Sequence, residues 1–253
     1  MPRLLFTLKA AALTVLLSHA NSCAAEDLHV SAAASLSNAF KDIAQAYQTK
    51  YPSTKILLNF GASGALLQQI AKGAPADVFA SADQETMDRA QQQNMILAKE
   101  RINFTRNRLV LIQSNSSTIK LDRLNALQQT SIKRIAVGNP SSVPAGRYAV
   151  HALQDAKLHT ALEAKLVLAT NVRQALDYVA RDEVEAGFVY ASDAMTMSDR
   201  VKVALQIDLK QDISYPIAIT TDSKKTAEAK RFIQFLTSAQ AQAILKKYGS
   251  QNL

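Results

Sequence analysis

Along most of the chain, short apolar runs give way to stretches whose apolar positions recur every three or four residues. This is the pattern of buried strands feeding amphipathic helices. Val30 to Ala34 is small and apolar and suits a strand end; from Leu36 the apolar positions fall at Leu36, Phe40, Ile43 and Tyr47, one helix face that ends near Tyr51-Pro52. Ser35 lies at the turn between them as a candidate N-cap. The same change occurs three more times. Lys55–Phe60 runs through Gly61-Ala62-Ser63-Gly64 into a helix carrying Leu66, Leu67 and Ile70. Arg134–Val137 runs through Gly138–Gly146, where Pro144 marks a helix start ahead of Tyr148, Ala149, Ala152 and Leu153. Lys165–Ala169 runs through Thr170-Asn171 into a helix with Val172, Ala175, Leu176 and Val179 on one face.

Further strands are expected at Ala76–Ala82, Arg108–Gln113, Ala186–Tyr190, Val201–Ile207 and Ile213–Thr220, with helices at Gln84–Asn94 and Leu121–Leu127. Two helices close the chain, one using Phe232, Ile233, Phe235 and Leu236, the other Ile244, Leu245 and Tyr248 before Gly249. Strand–helix alternation predicts an α/β protein of parallel-rich sheets flanked by helices. The polar stretch Asn103–Asn107 reads as a crossing to a second lobe, and Ile213–Thr220 as the return. Pro216 suits an edge or hinge strand better than a sheet centre. The expected organisation is a first lobe over 26–105, completed by 213–253, and a second over 106–212. Two hinge crossings would let them close on a ligand as a monomer.

Composition changes this picture at the N-terminus. Arg3 and Lys9, the apolar run Ala10–Leu17 and the small residues Ser22-Cys23-Ala24-Ala25 read as a signal peptide over 1–25. Ala20-Asn21-Ser22 lacks the bulky aliphatic residue of a lipidation site, which argues against a lipid anchor at Cys23. Cleavage after Ala25 leaves no cysteine, so disulfides and thiol catalysis are excluded and a periplasmic location is expected. The formal charge of +8 falls to +6 without Arg3 and Lys9. Lys224-Lys225, Lys230-Arg231 and Lys246-Lys247 fall on polar helix faces without interleaved aromatics, which is not a nucleic-acid pattern.

The turns carry the chemistry. No charged side chain occurs in Ser31–Phe40, Gly61–Ile70 or Gly138–Gly146, and Gly61, Gly64, Gly138, Gly146 and Gly187 cluster at or beside the proposed site. Catalytic clefts carry titratable groups; these turns offer hydroxyls and backbone N–H donors, which suit an ionised oxyanion. Arg147 and Arg173 each lie a residue or two into a helix, where a supporting or ion-pair role fits better than direct anion contact. His29, His151 and His159 lack metal-ligand spacing, and Asp77 and Asp83 read as turn caps without a nucleophile.

Five separated motifs, S-A-A-A-S-L-S-N-A-F, G-A-P-A-D-V-F-A-S-A-D, A-V-G-N-P-S-S-V-P-A-G-R-Y-A, N-V-R-Q-A-L and G-F-V-Y-A-S-D-A, resemble the periplasmic molybdate-binding proteins of bacterial ABC importers. The resemblance runs in order over essentially the whole chain beyond the leader. It implies a type II periplasmic-binding-protein fold with no cofactor and no enzyme activity, which closes on molybdate or tungstate and delivers it to a membrane permease. The implied ligands are Ser35 and Ser63 through hydroxyl and N–H, Ala145 and Val172 through N–H, and Tyr190 through its phenol. Gly61-Ala62-Ser63-Gly64 departs from the serine-rich form of that motif, which puts a neighbouring hydroxyl contact in doubt and keeps Ser63. Three rivals were weighed. A deaminase that polymerises porphobilinogen through a cysteine-linked cofactor lacks an attachment point here. A transcriptional effector domain would carry a DNA-binding helix-turn-helix where the leader lies. A binding protein for another tetrahedral oxyanion, sulfate above all, is not separated by the donors alone.

Overall fold

The computed structural model describes residues 26–251, so the expected leader over 1–25 and its cleavage or lipidation lie outside the described residues. Two five-stranded sheets form the frame. The first contains β1 (Glu26–Ala33), β2 (Thr54–Gly61), β3 (Val78–Ala80), β4 (Ile102–Asn107) and β10 (Ile213–Ile219), in the order β2-β1-β3-β10-β4. The second contains β5 (Leu109–Ser114), β6 (Ile135–Gly138), β7 (Leu166–Ala169), β8 (Ala186–Tyr190) and β9 (Val201–Gln206), in the order β7-β6-β8-β5-β9. Each sheet has the same plan: three parallel strands, then the strand that arrives from the other sheet, antiparallel to them, then the strand that leaves, at the edge.

Helices connect the parallel strands. The first sheet carries α1 (Ser37–Lys50), α2 (Ser63–Ala71) and α3 (Gln84–Gln92); the second carries α4 (Pro144–Asp155), α5 (His159–Leu162), α6 (Val172–Ala180) and α7 (Ala191–Met195). Phe40 and Tyr47, two turns apart on α1, face α8 (Thr226–Leu236), where the Phe232 ring lies 6.3 and 5.3 Å from theirs. α9 (Ala239–Lys247) packs on α1 as well, so the C-terminal helices cover the first sheet. They close with Gly249 at φ +84°, a conformation that glycine adopts without strain.

Three expectations are corrected. Asn103–Asn107, expected as a polar crossing, lies within strand β4, with Phe104, Thr105 and Asn107 buried and Asn103 and Arg106 exposed at a sheet edge. The crossing shrinks to Arg108, between β4 and β5. β10, where Pro216 lies, is the strand that returns from the second lobe, as a hinge strand would be, but it is no edge: it is paired on both sides, and a register shift between Tyr215 and Pro216 accommodates the proline. Leu121–Leu127 forms only a 3₁₀ turn over Leu124–Gln128.

Candidate functional site

Four helices begin where parallel strands end, and their N-termini converge between the sheets. β2 leads to α2, β6 to α4 and β7 to α6, while β1 leads through a 3₁₀ turn, Ala34–Leu36, to α1. Ligands of open α/β sheets occupy this crevice beyond the carboxyl ends of the strands. The first N–H groups of a helix have no acceptor within it. Ser63 and Val172 are the first residues of α2 and α6. Pro144, first in α4, has no N–H, so Ala145 carries that helix's first donor. In α6 the Asn171 side chain accepts from Arg173 N at 2.9 Å and Gln174 N at 3.1 Å, which leaves the Val172 N–H unclaimed by the cap.

Ser35, Ser63, Ala145, Val172 and Tyr190 line one cavity there, together with Ala82 and Val143. Its volume is about 10 Å³, and no charged side chain stands in its wall. Drug-sized sites occupy roughly 300–1,000 Å³, so this space admits only a small solute. A larger depression beside the crossings is lined by Arg106, Arg108, Asp208 and Asp212 and receives no helix N-terminus.

Ser35 does not cap α1. It lies inside the 3₁₀ turn that precedes the helix, and its Oγ is 3.0 Å from Tyr215 Oη. The chain enters the helical conformation earlier than the apolar spacing implied, and the hydroxyl bonds to Tyr215 instead of a helix N–H. Ser63 Oγ accepts a hydrogen bond from Ala82 N at 3.0 Å. Tyr190 Oη donates to Ala82 O at 3.1 Å across the cleft. Burial pushes the Tyr190 and Tyr215 phenols well above their ordinary range, so both stay neutral and keep a hydrogen to donate.

The two lobes are drawn together around this space. Gly64 N donates to Ser142 O at 2.9 Å, and a Cβ at Gly64 would stand 2.8 Å from that oxygen, so the approach requires glycine. Gly146 serves α4 similarly, since a Cβ there would meet Gly138 O at 1.8 Å and lift the helix start off β6. Arg147 and Arg173 point away from the cavity and bridge the lobes. Arg147 reaches Asp83 Oδ2 at 2.5 Å and Thr86 Oγ1 at 2.7 Å. Arg173 reaches Ser35 O at 3.2 Å and Asn38 Oδ1 at 2.9 Å. On its own lobe Arg173 faces Asp193 at 2.6 Å, and the other Asp193 oxygen accepts from Tyr190 N. Burial raises the Asp193 carboxyl against the opposing pull of Arg173.

Asp83 caps α3 by accepting from Thr86 N, and Asp77 accepts from His29 N and Ser223 Oγ. Among the described residues, no group of three or more His, Cys, Asp or Glu side chains is placed to hold a metal ion. Ala82, Tyr215, Asn107 and Asp193 escaped the sequence reading. Only Ala82 had a local signal, its position at the end of a strand beside uncharged turns.

Two α/β lobes closed over a small, uncharged cavity ringed by helix starts are the build of a receptor for a solute. A sequence model of bacterial extracellular solute-binding proteins matches residues 28–251, and the chain belongs to that family. It is 39% identical to the molybdate-binding protein ModA of Escherichia coli over 87% of each chain. It is 34% identical to the putative ABC transporter substrate-binding lipoprotein YvgL of Bacillus subtilis, over 88% of this chain and 85% of that one. Among solved structures, the substrate-binding domain of a putative molybdenum ABC transporter from Clostridium difficile is similar at 37% identity and a TM-score of 0.68. That match covers 90% of this chain and 99% of the other.

Proposed function

We propose that this chain captures molybdate, and tungstate with it, in the inter-lobe cavity and hands the anion to the permease of an ABC importer. The observation that carries the reading is the convergence of four helix starts and two serine hydroxyls on a small uncharged space. Partial positive charge from the helix ends and a wall of donors suit a small, fully ionised oxyanion. Ser35 and Ser63 would hold it through hydroxyl and N–H, Ala145 and Val172 through N–H, and Tyr190 by turning its O–H from Ala82 O to the anion. The molybdate-binding names of the similar proteins support the choice of ion.

The wider reading follows. The lobes are 26–105 with 213–253, and 106–212, supported by the membership of the two sheets. The receptor works as a monomer outside the cytoplasmic membrane after loss of the leader, carries no cofactor and transforms nothing. Calorimetry of the chain with molybdate, tungstate, sulfate and phosphate tests the assignment. Tight binding of the first two, with sulfate at least about a hundredfold weaker, is expected if donors set for the larger ion leave sulfate short by two hydrogen bonds of about 1.5–3 kcal/mol each. Sulfate bound as tightly as molybdate would assign the site to the alternative oxyanion.

A further inference from the structure

Behind the cavity, three side chains form a chain of contacts in which, once an acceptor occupies the cavity, one arrangement of hydrogens pairs them all. Asn107 is the last residue of β4, buried where the chain crosses to the second lobe. Its Oδ1 accepts from Arg108 N at 2.9 Å, which settles which end of the amide is which. Nδ2 therefore faces Ser192 Oγ at 2.8 Å and Tyr215 Oη at 3.2 Å. An amide nitrogen can only donate, whereas a phenol both donates and accepts. Tyr215 Oη takes a hydrogen from Asn107 and stands 3.0 Å from Ser35 Oγ, the one acceptor in reach of its own hydrogen. Tyr215 is fully buried, so no solvent competes for that hydrogen. With an anion in the cavity that Ser35 lines, the Ser35 hydrogen goes to the anion and the Tyr215 hydrogen to Ser35 Oγ, which leaves none unpaired. Ser63 reaches the same state by a shorter route, since its Oγ accepts from Ala82 N.

We infer that Tyr215, oriented by Asn107, is a positioning residue that holds the Ser35 hydroxyl as a donor into the cavity and thereby sets the preference for oxyanions that carry no proton. This rests on the oxyanion reading of the site. Without the relay the Ser35 hydroxyl rotates freely and can present a lone pair, the feature that a proton-bearing oxyanion needs. Asn107 and Tyr215 lie on β4 and β10, the strands that leave and re-enter the first lobe, and the register shift beside Tyr215 falls in the same place. The orientation of a ligand hydroxyl is thus tied to the geometry of the crossings.

The test is calorimetry with molybdate and with arsenate, which keeps a proton near neutral pH, across a pH series. Tyr215→Phe retains the ring that packs edge-on to Phe104 and Tyr190. It should weaken molybdate about tenfold and leave arsenate nearly unchanged, so that the selectivity between them narrows. Asn107→Asp presents an acceptor to Tyr215, reverses the relay and should weaken molybdate about a hundredfold. On a Ser35→Ala background Tyr215→Phe should change molybdate affinity less than about twofold, because the relay acts only through Ser35. Thermal melting of each ligand-free variant shows whether it folds, and the Tyr215–Ser35 cycle decides the matter even if Asn107→Asp does not fold. A Tyr215→Phe protein with parental affinity and selectivity, or losses that add in full on the Ser35→Ala background, would overturn the relay. A parent chain that binds neither molybdate nor any other oxyanion would overturn the site reading and the relay with it.

Discussion

The two lobes build the same sheet and meet the cavity with different chemistry. The first presents Ser35 and Ser63, whose hydroxyl oxygens are already occupied by Tyr215 and Ala82 N. The second presents Ala145 and Val172, apolar residues whose polar offering is the backbone N–H at a helix start, and one phenol, Tyr190. The hydroxyl part of the first lobe's contribution is thus written in side chains and can be deleted by substitution. Most of the second lobe's is written in backbone geometry, in Pro144 at the first helical position, the Asn171 cap and the Gly138–Gly146 contact. On the proposed reading, a ligand-binding residue need not be polar when its helix is placed correctly.

That contrast can be broken most severely from the first lobe. Ser63→Asp puts an anion among donors meant for one, and should reduce molybdate affinity roughly a thousandfold or more. Calorimetry that found parental affinity would place the anion elsewhere. Gly64→Ala acts on closure instead. Its Cβ would stand 2.8 Å from Ser142 O, so the lobes must part and the Gly64–Ser142 hydrogen bond is lost. A loss of about thirtyfold is expected, with a larger radius of gyration in scattering at saturating molybdate than the parent shows.

Two substitutions of about equal effect sharpen the comparison. Ser63→Ala removes a hydroxyl and leaves the buried Ala82 N–H without its acceptor; about tenfold weaker binding and about 1–3 kcal/mol of lost stability are expected. Val172→Pro removes a donor from the other lobe by a backbone route. Proline is accepted at the first helical position, and Asn171 before it is already extended at φ −157°, ψ 171°. Binding should fall about tenfold, as measured by calorimetry, without removal of any polar side chain. The smallest effect is expected from Val172→Ala, which keeps the N–H. Its affinity should stay within about twofold, while melting reports a loss of roughly 1–2 kcal/mol from the smaller buried side chain. Equal losses of affinity from Val172→Ala and Val172→Pro would mean that the side chain, and not the N–H, makes the contact.

The four turns were legible because their signals are local. Pro144 at a helix start, Asn171 as a cap and the uncharged Gly61–Gly64 segment act within a few residues of themselves, whatever else the chain does. β4 was misread because a strand at a sheet edge shows only half its residues to the core, and I-N-F-T-R-N looks polar until its neighbour β10 is known. Pro216 misled in the opposite sense, since a register shift lets an interior strand carry it.

By itself the sequence determined the alternation of strands and helices, the absence of charge in the turns and the starts of the helices at Ser63, Pro144 and Val172, because each follows from periodicity, side-chain type and backbone restriction over a short span. Only the tertiary structure decided that four helix starts face one space, that Arg147 and Arg173 tie lobe to lobe, and that Ser35 answers to Tyr215, a residue 180 positions away. Those facts depend on strand order and on the distance at which two lobes close, and no local preference along the chain encodes either.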